Sequence, residues 1–133
     1  MESTYSSAEL AFLASCLEEL QKRVQALLRK NGNPLQQQGL SNLLVGVQRA
    51  EAALSTYGEQ GGNFALEDLG VLYSAVYAQR RKINQFLETS VCPADKHNDL
   101  VEAAASVNSL LRRLRTEIEA AGVDADTFIK SYV

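Results

Sequence analysis

Six of the 13 basic residues sit in two short runs, Arg80-Arg81-Lys82 and Arg112, Arg113, Arg115. Tyr73 and Tyr77 precede the first run at a spacing of four, so a helix there carries aromatic rings into guanidinium groups along one stripe. Such a stripe suits an acidic partner helix, or a single-stranded nucleic acid held by stacking and charge. Two features weigh against the nucleic-acid reading. Arg113 and Arg115 are each followed four residues later by a glutamate, Glu117 and Glu119, which neutralises them in part. The net charge is -3 and the pI near 5.2, whereas nucleic-acid binders usually need a basic excess to neutralise phosphates.

Other chemistry is thinly represented. The single histidine, His97, falls in the expected loop before the fourth helix, far in sequence from any cysteine, so no zinc spacing forms. No Glu-x-x-His pair exists for the di-iron site that helical bundles often house. The chain lacks a Gly-rich phosphate loop ending in Lys-Ser/Thr, a Gly-x-Gly-x-x-Gly run and a Gly-x-Ser-x-Gly elbow. Glu18 and Glu19 fall at outward helical positions four residues before Lys22 and Arg23, the spacing of weak surface ion pairs rather than of a buried acid/base couple. Cys16 and Cys92 are too few for a disulfide framework and too far apart along an expected bundle to pair. We therefore expect no cofactor, no metal site and no enzymatic activity.

Four apolar seams at alternating spacings of three and four must position whatever function there is. The first runs Leu10, Leu13, Leu17, Leu20, Val24, Leu27, and the second Leu40, Leu43, Val47, Ala50, Leu54, Tyr57. The third is Leu69, Leu72, Val76, Ile83, Phe86, interrupted by Gln79, and the fourth Leu100, Ala104, Val107, Leu111, Leu114, Ile118, Ala121. Ser6 and Glu9 form a capping box that starts the first helix near Ser7, with Tyr5 and Leu10 placed as a hydrophobic staple. It stops at Asn31-Gly32. Asn33 then caps a second helix with Pro34 in its first position, giving a tight αα-hairpin.

The second helix is expected to end near Tyr57, before Gly58-Glu59-Gln60-Gly61-Gly62, and Asn63 to cap the third, which runs to about Thr89. The fourth begins either just after Pro93 or at Asp99/Glu102 and ends at Gly122. Asp124 or Asp126 then caps a short helix holding Phe128, Ile129 and Tyr132. The expected architecture is one all-α domain spanning residues 1–133, a four-helix up-and-down antiparallel bundle with a short C-terminal helix.

Two features of the second helix bear on partners. Gly39, Gly46 and Ala53 recur every seven residues beside its seam, where small side chains admit another backbone either inside the bundle or as a groove for a partner helix. Leu44 and Val45 widen the apolar face past a simple seam, and Phe12 and Leu28 add to it on the first helix. The C-terminal Ser131-Tyr132-Val133 loosely fits a PDZ ligand, but three positions of loose pattern arise often by chance and docking of the short helix is the preferred reading.

The segment before Cys16, Leu13-Ala14-Ser15, resembles a lipoprotein processing box but follows Glu2 and Glu9 with no Lys or Arg. No run reaches the ~18 apolar residues of a membrane span. These features favour a cytoplasmic, non-catalytic helical interaction module: an adaptor- or chaperone-like protein, or a small structural subunit of a larger assembly. A protein partner or self-association is expected. The alternative is an accessory subunit that contacts nucleic acid through the two basic runs.

Overall fold

The computed structural model of the chain describes residues 5–30, 32–88 and 94–131, with the backbone alone for residues 94–97. Its elements are α1 (Ser7–Lys30), α2 (Pro34–Gln60), α3 (Leu66–Glu88), α4 (Ala94–Ala120) and α5 (Ala125–Lys130), with no strand among the described residues. The fold is all-α, with four long helices and a short C-terminal one, in the helical-bundle class that the seams imply. Glu2, Asn31, Thr89, Cys92, Pro93, Tyr132 and Val133, which figured in the expectations above, lie outside the described residues.

The chain divides into two compact units, Met1–Leu72 and Tyr73–Val133, with α3 running from one into the other. In the first unit α1 and α2 pack along each other as the expected antiparallel hairpin. Its ends are locally encoded. The Ser6 amide donates to Glu9 Oε1 at 2.9 Å while the Glu9 amide donates to Ser6 Oγ at 3.1 Å, which satisfies two donors that α1 could not otherwise pair. Asn33 Oδ1 accepts from the Leu35 amide at 3.0 Å, and Pro34 opens α2.

The third helix departs from expectation at its start. Residues 61–65 are non-helical, and the Leu69 amide donates to the Ala65 carbonyl at 3.0 Å, so Ala65 occupies the cap position expected for Asn63. The cause is a long-range aromatic cluster. Phe64 stacks on Tyr57 with ring centroids 4.8 Å apart, and Tyr5 meets both rings edge-on at 5.6 and 5.8 Å. Burying Phe64 there keeps the segment out of the helix, and Gly61 and Gly62 turn into it at φ +72 and +103. α2 also continues three residues past Tyr57 before Gly61 ends it.

In the second unit Val107, Leu110, Leu111, Leu114 and Ile118 of α4 are buried, as are Ala125 and Ile129 of α5. Gly122, at φ +89, makes the turn between those helices. α4 starts at Ala94, the earlier of the two expected points, which places His97 in its first turn instead of the expected loop. Phe86 is 54% exposed although it lies on the third seam, and Ala121 at the end of the fourth is exposed as well.

Candidate partner-binding surface

The α1/α2 hairpin is covered unequally along its length. Toward the aromatic cluster, Leu13, Cys16, Leu17, Val47, Ala50, Leu54 and Tyr57 are buried. Toward the connection at residues 31–33, Leu20, Leu28, Leu40, Leu43 and Leu44 keep part of their surface, and Val24 alone among the seam residues is sealed. Leu27 is 45% exposed, Val45 54% and Leu35 85%. This distal half is thus a two-helix surface with leucines along its rim.

The small-residue stripe of α2 divides in the same way. A Cβ built on Gly46 would lie 3.5 Å from Val71 Cγ2, an ordinary van der Waals contact, so what packs against Gly46 is a side chain of this chain's own α3. Gly39 has nothing within 4 Å of that position and is exposed, while Ala53 is half-buried. Of the five residues singled out on α2, Gly39, Leu44 and Val45 therefore present surface, whereas Gly46 serves internal packing.

The aromatic and basic stripe is built differently from its sequence reading. Tyr73 is buried, which removes one of its two rings from the surface. Tyr77 is half-buried, 6.4 Å from Tyr73 centroid to centroid, and the Arg80 guanidinium lies 5.6 Å from the Tyr77 ring centre. Arg81, Lys82 and Arg112 are exposed, and Arg113 is half-buried. Arg115 bonds Glu119 at 3.2 Å and Asp126 at 2.5 Å, which ties α4 to α5 and holds its guanidinium above its ordinary pKa. Within this unit the cationic groups nearest an aromatic face or a carboxylate are already engaged.

Titratable groups elsewhere divide into inert and structural. Burial, with Glu19 nearby, pushes the Cys16 thiol up to about 12, so it stays protonated and unreactive. Asp68, in the first turn of α3 where the helix dipole favours negative charge, is a buried carboxylate. Burial raises its pKa, Arg49 opposes the rise and Glu67 adds to it. Arg49 itself bridges to Glu67 at 3.0 Å in the open, a pair of small energetic weight. Glu51 Oε1 is buried without a hydrogen-bond partner among the described residues. On the surface, Glu18 meets Lys22 at 3.3 Å as its spacing implies.

Among the described residues no group of three or more His, Cys, Asp or Glu side chains is placed to hold a metal ion, and no helix is long and apolar enough to cross a membrane. Leu35 was missed in the sequence because it lies outside the seam, five residues before Leu40. Its signal was the isolation of an apolar residue in an otherwise polar first turn. Neither a scan of protein-family models nor comparison with curated proteins and solved structures finds a match to this chain.

Proposed function

We propose that the protein is a non-catalytic helical interaction module, an adaptor- or chaperone-like protein or small subunit, which binds a protein partner through the distal half of the α1/α2 hairpin. The observation that carries this reading is that Leu27, Leu35 and Val45 are exposed, Leu44 is partly covered and the backbone at Gly39 is open, all on the distal half of the hairpin. Full burial of a large aliphatic side chain from water is worth about 1.5 to 3 kcal/mol, and Leu27 and Val45, 45% and 54% exposed, hold about half of that in reserve for a partner, with Leu35 at 85% holding most of it. The α1/α2 hairpin supplies a preformed helical surface, so binding costs little ordering of the module itself.

Nucleic-acid contact through Arg80, Arg81, Lys82, Arg112, Arg113 and Arg115 is the weaker reading. Tyr73 has no free face for a base, and Arg80 lies over Tyr77. The deciding experiment is affinity purification from the native source with the wild type and with Val45→Asp. We expect a protein that co-elutes with the wild type to be lost with the variant, while circular dichroism of the variant is unchanged. Nucleic acid that co-elutes in a salt-sensitive manner, and is lost in Arg81→Ala/Arg112→Ala, would replace this reading with the weaker one.

A further inference from the structure

We infer that the partner segment accepted by the distal hairpin is an acidic amphipathic helix, an inference that rests on the reading above and specifies its chemistry. The charge of the chain is segregated. From Leu20 to Ala50 there are five basic residues, Lys22, Arg23, Arg29, Lys30 and Arg49, and no aspartate or glutamate. The rest of the chain holds all 16 acidic residues and the remaining eight basic ones. A protein of net charge -3 thus carries a purely cationic segment, and that segment is the one whose leucines are exposed.

Helix-end electrostatics explain only part of this pattern. Arg29 and Lys30 stand in the last turn of α1, where the dipole favours cations. The same rule favours acids in the first turn of a helix, and α1, α3 and α5 each have them, at Glu9, Glu67/Asp68 and Asp126. The first turn of α2 has none, and Leu35 occupies it. Acids are missing where local stability favours them, as expected if a negatively charged partner passes that turn.

Internal pairing does not consume the charge. Lys22 has Glu18 and Arg49 has Glu67, both in exposed pairs, whereas Arg23, Arg29 and Lys30 are exposed and make no ion pair with a described residue. Arg29 and Lys30 follow Leu28 directly and Arg23 stands four residues, about one helical turn, before Leu27, so one bound helix buries its own apolar stripe on the leucines and sets its acidic flank against the cations. A second copy of this surface brings like charges together, which disfavours symmetric self-pairing. Leucines flanked by cations also suit an anionic membrane surface, although the segment contains no Trp, Tyr or Phe, and the vesicle arm of the test separates that surface from a protein helix.

The test uses the full chain and two synthetic helical peptides that share one leucine face and differ only in flanking residues, glutamate in one and lysine in the other. Vesicles of phosphatidylcholine with phosphatidylglycerol form a third arm. In fluorescence anisotropy the glutamate peptide should bind at least about tenfold tighter than the lysine peptide, with the gap narrowing as salt screens it. Arg23→Glu/Arg29→Glu/Lys30→Glu, with unchanged circular dichroism, should reverse that preference. Equal binding of the two peptides, binding of neither, or tight vesicle binding that the charge reversal abolishes would overturn the inference. So would concentration-dependent dimerisation abolished by the same reversal. If Val45→Asp abolishes native association while both peptides bind equally, the interaction reading stands and the acidic chemistry fails. If native association survives Val45→Asp, the interaction reading itself fails.

Discussion

The two halves of the α1/α2 hairpin are built from the same residue types at the same spacing, and they end in different environments. Leu13, Leu17, Val47 and Leu54 are buried near the cluster of Tyr5, Tyr57 and Phe64, whereas Leu27 is half in water and Leu20, Leu40 and Leu43 are only partly covered. A three-four repeat requires that a face be apolar but carries no information about what covers it. In the proximal half the cover comes from the chain: the Phe64 ring stacks on Tyr57, and Val71 lies against Gly46. In the distal half the leucines are in surplus over that cover, and the surplus is the physical basis for assigning a partner there.

The largest expected effect tests the two halves against each other. Leu17→Ala should lower unfolding free energy by about 2 to 5 kcal/mol, as truncation of a sealed leucine does, and Leu27→Ala by less than about 1 kcal/mol. Denaturant titration of both variants checks this, and equal losses would erase the distinction between the halves. Leu111→Ala on α4, a buried seam residue of the second unit, should match Leu17→Ala.

A smaller effect probes the cluster that seals the proximal half. The Tyr57 hydroxyl accepts from the Tyr5 amide at 3.2 Å. Tyr57→Phe retains the ring stack but removes that acceptor, and should cost about 1 kcal/mol in the same titration. A neutral result would mean that ring packing alone seats the N-terminal segment.

How far these contrasts were legible in the sequence depends on the range of the interaction responsible. The Ser6/Glu9 box, the Asn33 cap and the short hairpin connection are local, and each sits where side-chain chemistry within four residues puts it. Asn63 is also a sound local cap, yet Ala65 takes the position because Phe64 is claimed by Tyr5 and Tyr57, and Tyr5 is distant in sequence. Periodicity set Tyr73 outside the third seam and Phe86 within it, and the burial of the first and exposure of the second reflect packing that a single helical wheel does not contain. The candidate surface was half legible: Val45 and Leu44 stood out on α2, while the exposure of Leu27 depends on which seam positions the fold leaves uncovered.

Titration gives two effects of opposite sign. Burial raises the Asp68 pKa above its ordinary value of 3.8, so the folded chain retains that proton to higher pH than the unfolded chain does. Its contribution to stability is full below 3.8 and is lost as pH rises through the folded pKa. Asp68→Asn should therefore gain on the wild type in melting temperature as pH rises from about 3 to about 7. The Thr127 hydroxyl, donating at 2.6 Å, holds Asp124 below its ordinary value, and that contribution is present at neutral pH and lost on acidification. Asp124→Asn should consequently lose ground to the wild type over the same rise. Melting curves across this range that run parallel to the wild type would contradict either assignment. The smallest effect belongs to exposed Glu18, where Glu18→Ala should cost less than about 0.5 kcal/mol because its pair with Lys22 lies in water.

Hydrogen exchange on the chain alone and on its purified native complex tests the partner assignment most directly. Alone, amides of residues 20–30 and 35–45 should exchange faster than those of residues 47–57, since fewer buried contacts oppose local opening in the distal half. In the complex, the added protection should concentrate in residues 20–45. Equal protection of the two halves in the free chain, or protection that appears instead around residues 80–82 and 112–115, would contradict the assignment of the distal α1/α2 hairpin as the binding surface.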